Sequence, residues 1–217
     1  MLIKYQKCCD IIRLVHGSAP TKVLHIGAHT GEEALDYYNN GVKDVIWFEA
    51  NEDLIPKLEE HIKQFAMNQQ ICPIALWDKN EILKFKITNN FQSSSFFDLN
   101  THSSHYPNIV VTEEKDVQAL RLDSIISHSD NLLIFNDFEF INIDTQGAEL
   151  AILKGFGNHI NSNAIKGIYL EVNKEKLYDG IPLVDEIDNF LSKFDFYRIK
   201  TKWTPAGWGD AFYLKAG

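Results

Sequence analysis

Two glycines, a histidine and several acids cluster early in the chain in a pattern able to hold a nucleoside. The apolar run at residues 23–26 stops at Gly27, and the turn reads Gly27-Ala28-His29-Thr30-Gly31, with Glu32 and Glu33 opening a helical segment. A second apolar run, residues 45–48, ends on Glu49-Ala50-Asn51, about twenty residues after the glycines. In such a strand–turn–helix–strand unit the glycines let the backbone approach the ligand, and the terminal acid accepts hydrogen bonds from a ribose diol. A dinucleotide would need G-x-G-x-x-G, so that its pyrophosphate could rest on backbone N–H groups at the helix start. Here the third glycine is missing, and Glu32 and Glu33 would repel a phosphate. A cationic nucleoside without phosphates fits better, and S-adenosylmethionine is such a molecule.

Ligands of open parallel sheets bind outside the carboxyl ends of the strands, and further candidates stand at such ends. Ala75 and Leu76, next to Trp77, are expected to form part of an adenine slot. Asp144 with Gln146, and Glu171 with Asn173, close two later apolar runs. Methyl transfer from a sulfonium is an in-line displacement, so holding an acceptor oxygen behind the methyl supplies much of the rate. An alcohol also gains from a base that takes its proton. The candidate catalytic residues are Asp144 and Glu171, together with His102 and His105 from the segment 91–112. Histidine has the better matched pKa, and Asp144 the better position. Asp144 serves equally well to bind the amino group of the cofactor's methionine part. Glu149 is expected to anchor the loop before it by a buried hydrogen bond. A divalent ion on Asp144, Glu171 and Asn173 would be a variant of this chemistry, but no metal is predicted.

The elements that must position these groups alternate. Strands are expected at 23–26, 45–48, 71–76, 138–144 and 168–172, and helices at 31–40, from an Asp53 cap with Pro56 in the first turn on to Phe65, at 147–153 and from Pro182. Uniformly apolar strands separated by helices imply a parallel sheet covered on both faces. Residues 82–87 and 117–122 alternate like strands with one wet face, and Asp123 is placed to cap a short helix. Between them, residues 91–112 are rich in Ser, His and aromatics and follow no period, as expected of a functional loop. Residues 196–203 and 210–215 are expected to close the fold as a β-hairpin. Within the intervening turn, Gly207-Trp208-Gly209-Asp210 reads as presenting an exposed indole for an acceptor or interface contact. Phe212 and Tyr213 read as packing.

With 217 residues, 45% hydrophobic and 12% aromatic, the chain can bury a sizeable core. It divides into an N-terminal helical segment, 1–20, and a catalytic domain, 21–217, with 91–112 as an insertion. A net charge of −9 argues against a nucleic-acid partner. Three cysteines without C-x-x-C spacing argue against a zinc site or disulfide scaffold and suit a reducing, cytoplasmic setting. No apolar run approaches membrane-spanning length. Oligomeric state is not legible.

The segments HIGAHTGEE, WFEAN, PIALWD, RLDSI and above all INIDTQGAELAILKG resemble the FkbM-type S-adenosylmethionine-dependent methyltransferases. The resemblance implies a Rossmann-like α/β fold, a seven-stranded mostly parallel sheet with a C-terminal antiparallel hairpin. It also implies O-methylation of a hydroxyl on a saccharide or other small molecule. Two other readings compete: a non-catalytic nucleoside- or partner-binding module on the same fold, and an NAD-linked oxidoreductase, which the glycine pattern opposes.

Overall fold

A computed structural model describes residues 1–128 and 137–217. Its strands are β1 (Lys22–Ile26), β2 (Asp44–Phe48), β3 (Asn68–Cys72), β4 (Ala75–Leu76), β5 (Glu81–Thr88), β6 (Val111–Leu120), β7 (Phe140–Ile143), β8 (Gly167–Asn173), β9 (Phe196–Trp203) and β10 (Trp208–Lys215). The helices are α1 (Tyr5–His16), α2 (Ala34–Asn39), α3 (Ile55–Ile62), α4 (His102–His105), α5 (Leu122–His128), α6 (Glu149–Gly155) and α7 (Val184–Leu191). Among the described residues no helix is long and apolar enough to cross a membrane.

Seven strands form one sheet in the order β3-β2-β1-β7-β8-β10-β9. The first five run parallel, and β10 pairs antiparallel with both β8 and β9. Alternate residues of each central strand feed opposite faces. Leu24, Ile46, Ile141, Leu170 and Val172 pack against Ile152 and Leu153 of α6 and Ile187 and Leu191 of α7. Val23, Val45, Trp47, Phe140 and Tyr169 pack against Tyr5, Cys8 and Ile12 of α1, Tyr37 of α2 and Leu58 of α3. The expected α/β fold with its closing hairpin is therefore present, and the N-terminal helix shares a core with the sheet.

Several local expectations shift, each for a backbone reason. The strand expected at 71–76 is broken at Pro73, which lacks an N–H. Its first half ends as β3, an edge strand in which Cys72 alone is buried, and its second half becomes β4 of a separate three-stranded sheet, β4-β6-β5. Helix α2 starts at Ala34 and not at Gly31, because Gly31 sits at φ +77°. Helix α6 starts at Glu149, because Gln146 and Gly147 have φ of +55° and +111°. Asp123 lies inside α5 instead of capping it, and binds Arg121. Pro182 stands two residues before α7, whose first free N–H, at Leu183, is met by Glu186 at 3.0 Å.

The small sheet is locked to the main body where α6 ends. A Cβ on Gly155 would lie 2.1 Å from the Trp77 carbonyl oxygen. Gly155→Ala is therefore expected to lower stability by about 1–3 kcal/mol, read as a reduced denaturation midpoint. An unchanged midpoint would mean that α6 and the small sheet do not pack this closely.

Candidate functional site

The candidates named above face one cleft of about 550 Å³ at the carboxyl edge of the sheet, except Gly31, Trp77, His105 and Asn173, which do not line it; the size is usual for small-ligand sites. Its floor is set by the close passage of the β1 turn over the end of β7. The Asp144 N–H donates to the Ile26 carbonyl at 2.9 Å, and a Cβ on Gly27, at φ +84°, would lie 1.9 Å from the Asp144 carbonyl oxygen. A Cβ on Gly31 would meet Leu58 and Ile62 of α3 at 2.8 Å. At both glycines the space a Cβ would need is filled by the protein's own chain, while the Gly27 backbone still lines the cleft.

Glu49 ends β2 with both oxygens engaged, one accepting from the His29 N–H at 2.7 Å and the other from the Asn51 N–H at 2.7 Å. Burial raises its carboxyl above the ordinary value, with these two donors pulling the other way. His29 takes a left-handed φ of +48°, which aims its N–H at Glu49. Its Nδ1 lies 2.6 Å from Glu32, which also accepts from the Thr30 hydroxyl at 3.0 Å. Against the upward push of burial, these partners hold Glu32 down to about 2. Ala28, Ala50 and Asn51 complete this end, and the buried Asn51 Nδ2 has no hydrogen-bond partner. Ala75 and Leu76, with Ile74, Leu54 and Phe48, form an apolar wall beyond Glu49. Trp77 is not part of that wall; it packs on Phe96 and Phe97 with ring centroids 5.6 and 5.9 Å away.

The other end is crowded with acids. Glu149 accepts from the Thr145 N–H at 3.1 Å, the Thr145 hydroxyl at 3.1 Å and the Gly147 N–H at 3.2 Å, the anchoring expected for the loop. Gln146 holds two carboxylates with one amide, Nε2 donating to Glu171 at 2.8 Å and to Asp144 at 3.2 Å. The Tyr178 hydroxyl donates to Gln146 Oε1 at 2.9 Å and so fixes which way that amide faces. Asp144 is open to cleft water yet ringed by other acids. Its enclosure within the cleft, which thins that water, comes first, and with Asp210, Glu33 and Glu149 it pushes the carboxyl up to about 7. Glu171 is buried inside β8, not at its tip, and burial followed by Asp144 and Glu149 raises it well above the usual carboxylate range. Among the described residues no three His, Cys, Asp or Glu side chains gather so as to hold a metal ion.

The segment 91–112 roofs the cleft, with α4 inside it. His102 is buried, its ring 5.0 Å from Tyr106 and 5.2 Å from Tyr178, and its Nδ1 has no partner. Burial lowers its pKa, so the ring is neutral near pH 7. His105 is corrected: it does not line the cleft and sits 3.9 Å from Glu175. The indole of Trp208 is corrected as well. Trp208 begins β10, half-buried, faces the cleft and donates from Nε1 to the Tyr106 hydroxyl at 3.1 Å.

Sequence reasoning missed Tyr106, Tyr178 and the pair His25–Asn142, whose side chains meet the Tyr37 hydroxyl at 2.9 Å each beneath the cleft. The one available signal was polar residues within apolar strands.

Residues 25–197 match the methyltransferase FkbM domain. No curated protein matches the chain. Among solved structures, the fold is similar to a 1,6-didemethyltoxoflavin-N1-methyltransferase of Burkholderia thailandensis with 1,6-didemethyltoxoflavin and S-adenosylhomocysteine bound, at 12% identity and TM-score 0.51, covering 100% of this chain and 80% of that one. It is similar to a magnesium protoporphyrin IX methyltransferase of Synechocystis PCC 6803 with bound SAM, at 10% identity and TM-score 0.51, covering 98% and 79%. A ribosomal protein L11 methylase of Lactobacillus delbrueckii subsp. bulgaricus aligns at 10% identity and TM-score 0.52, covering 98% and 79%. At such identities the likeness is one of fold.

An acid held above its ordinary value takes up a proton on folding. The Asp144 contribution to stability is therefore most favourable below about pH 4 and is lost as pH rises toward 7. Asp144→Asn removes that loss. It is expected to stabilise the protein by about 1 kcal/mol at pH 8, after allowing for cleft water, and to change nothing near pH 4. Thermal denaturation of both proteins at the two pH values checks this; equal midpoints at pH 8 would remove the strained carboxylate.

Proposed function

The chain belongs to the FkbM methyltransferase family, and we propose that it transfers the methyl group of S-adenosylmethionine to a hydroxyl oxygen of a saccharide or other small metabolite. The observation that carries the reading is Glu49, pinned by two backbone N–H groups and opening on the cleft that also holds the 27–31 turn and Asp144. The carboxylate accepts from the ribose diol, the wall of Ile74, Ala75 and Leu76 takes the adenine, and the methionine part lies over the 27–31 turn toward Asp144. An NAD-linked reaction is set aside with the family assignment.

The cofactor carries a sulfonium and an ammonium, and Asp144 answers that charge. A cation beside Asp144 draws its pKa down, so in the loaded site it is a carboxylate, a good counter-charge and a weak base. His102 is better suited to take the hydroxyl proton, since its ring stays neutral and Nδ1 is free. In the transfer step the acceptor oxygen forms a bond to the methyl carbon while the carbon–sulfur bond breaks. That electron pair goes to sulfur, leaving neutral S-adenosylhomocysteine, and the hydroxyl proton passes to His102. Line-up of oxygen, methyl and sulfur supplies the larger part of the rate.

The acceptor is a small molecule and not a nucleic acid. The net charge of −9 and a cleft lining without Lys or Arg among the described residues both oppose a polyphosphate. Cys8, Cys9 and Cys72 are buried free thiols, which supports a reducing, cytoplasmic setting.

Calorimetric titration with S-adenosylmethionine, S-adenosylhomocysteine and NAD tests the reading. Saturable binding of the first two without NAD is expected, and NAD binding alone would overturn it. Glu49→Ala is expected to weaken cofactor affinity by about tenfold or more while the protein stays folded. Unchanged affinity would take Glu49 out of the site. His102→Asn is expected to lower kcat by about a hundredfold with cofactor affinity intact; a loss confined to cofactor binding would assign the proton to another group.

A further inference from the structure

Four acids crowd the β7–β8–β10 end of the cleft, Asp144, Glu149, Glu171 and Asp210, and among the described residues none of them forms a salt bridge. Three of the four are accounted for. Glu149 is neutralised locally by three donors from its own loop. Asp210 accepts from the Tyr169 hydroxyl and the Leu2 N–H. Asp144 faces the β1 turn and, on the proposed reading of the cleft, the cofactor's cationic half. Glu171 remains. Its donors are one arm of the Gln146 amide at 2.8 Å and the Asn173 amide at 3.5 Å.

The surroundings of Glu171 are fixed by strand register. Trp208 pairs with Asn173 and Asp210 with Glu171 across β8 and β10, and directly opposed residues share a face, as do residues two apart in one strand. Glu171, Asn173, Asp210 and Trp208 therefore form one patch on one face, and Glu171 and Trp208 both line the cleft. The indole is held there by its bond to Tyr106, itself a lining residue. Asn173, buried in the same patch, has an Oδ1 with no partner. The ammonium of Met1, which also lines the cleft, is held by Glu33 at 3.4 Å. The patch offers the cleft the Glu171 carboxyl, which an adjacent cation draws into its ionised form, and two aromatic rings. That is the chemistry that recognises an ammonium group, through charge-assisted hydrogen bonds and cation–π contact.

We propose that the methyl acceptor is a hydroxylated compound bearing a protonated amine, an amino sugar or another amino alcohol, whose ammonium is held by Glu171 beside Trp208 and Tyr106. This rests on the reading of the cleft as a methyl-transfer site and names the acceptor class for it. The arrangement also sets which atom is methylated. An ammonium beside a carboxylate keeps its proton and has no lone pair to offer, so the neighbouring hydroxyl is the nucleophile. Anionic acceptors, such as nucleotide-linked sugars, are rejected by the same charges.

The test is ligand-observed NMR on the full chain saturated with S-adenosylhomocysteine, using three probes: glucosamine, N-acetylglucosamine and glucose. Glucosamine is expected to bind about tenfold tighter than either neutral probe, the worth of one charge-assisted hydrogen bond. Glu171→Gln, which keeps the size and the hydrogen bonds to Gln146, is expected to bring the three within about twofold. Equal binding of the three to the unmodified protein, or binding of none, would overturn the proposal whatever the variant does. Failure of S-adenosylhomocysteine to bind at all would instead remove the methyl-transfer reading on which it stands, and the preceding calorimetry tells the two apart.

Discussion

The passage of the β1 turn over the end of β7 is the contact on which the site depends. Gly27 can lie against the Asp144 carbonyl only because it has no side chain and tolerates φ +84°. That approach sets the 27–31 turn beside Asp144, and behind Asp144 the loop reaching α6. The same loop holds two consecutive left-handed residues, Gln146 and Gly147, a conformation costly for a residue with a side chain. Glu149 stabilises it by closing back on Thr145 and Gly147. What the loop gains is the placement of one amide, Gln146, between two carboxylates from neighbouring strands.

Charge is the second organising feature. Carboxylates brought together in a confined cleft raise one another's pKa, and the folded protein carries that as strain. A site of this kind is completed by its ligands. A cofactor of net positive charge would answer part of the field, and an ammonium on the acceptor would answer the rest. The FkbM family assignment gives the reaction, and the distribution of acids and rings around Glu171 is what speaks to the acceptor. The aromatic groups there come from three separate parts of the chain: Trp208 is hydrogen-bonded to Tyr106, and Tyr178 reaches Glu171 through the Gln146 amide.

Most of the sheet was legible in the sequence, because fully buried parallel strands are written as short apolar runs and glycine turns mark their ends. The exceptions are instructive. Residues 71–76 read as one strand, since hydrophobicity alone does not register a missing N–H, and Pro73 sends the two halves into different sheets. Helices α2 and α6 begin later than their apolar patterns, because backbone conformation at Gly31, Gln146 and Gly147 decides the start. Of the two candidate histidines, spacing on a four-residue helix could not tell which faced inward; packing against Tyr106 and Tyr178 places His102 there and leaves His105 on Glu175.

The sequence by itself determined the fold class, the glycine turn at 27–31 with the acid Glu49 at the next strand end, and the loop motif after Asp144. These are local: each depends on residue types a few positions apart along a strand or turn. Tertiary structure alone decided the end of the cleft around Glu171. Glu171 and Trp208 are far apart in the chain and become neighbours only through antiparallel register, and Tyr106 reaches them only because the 91–112 segment folds over the cleft. Long-range pairing sets those distances, and no periodicity in one chain records it.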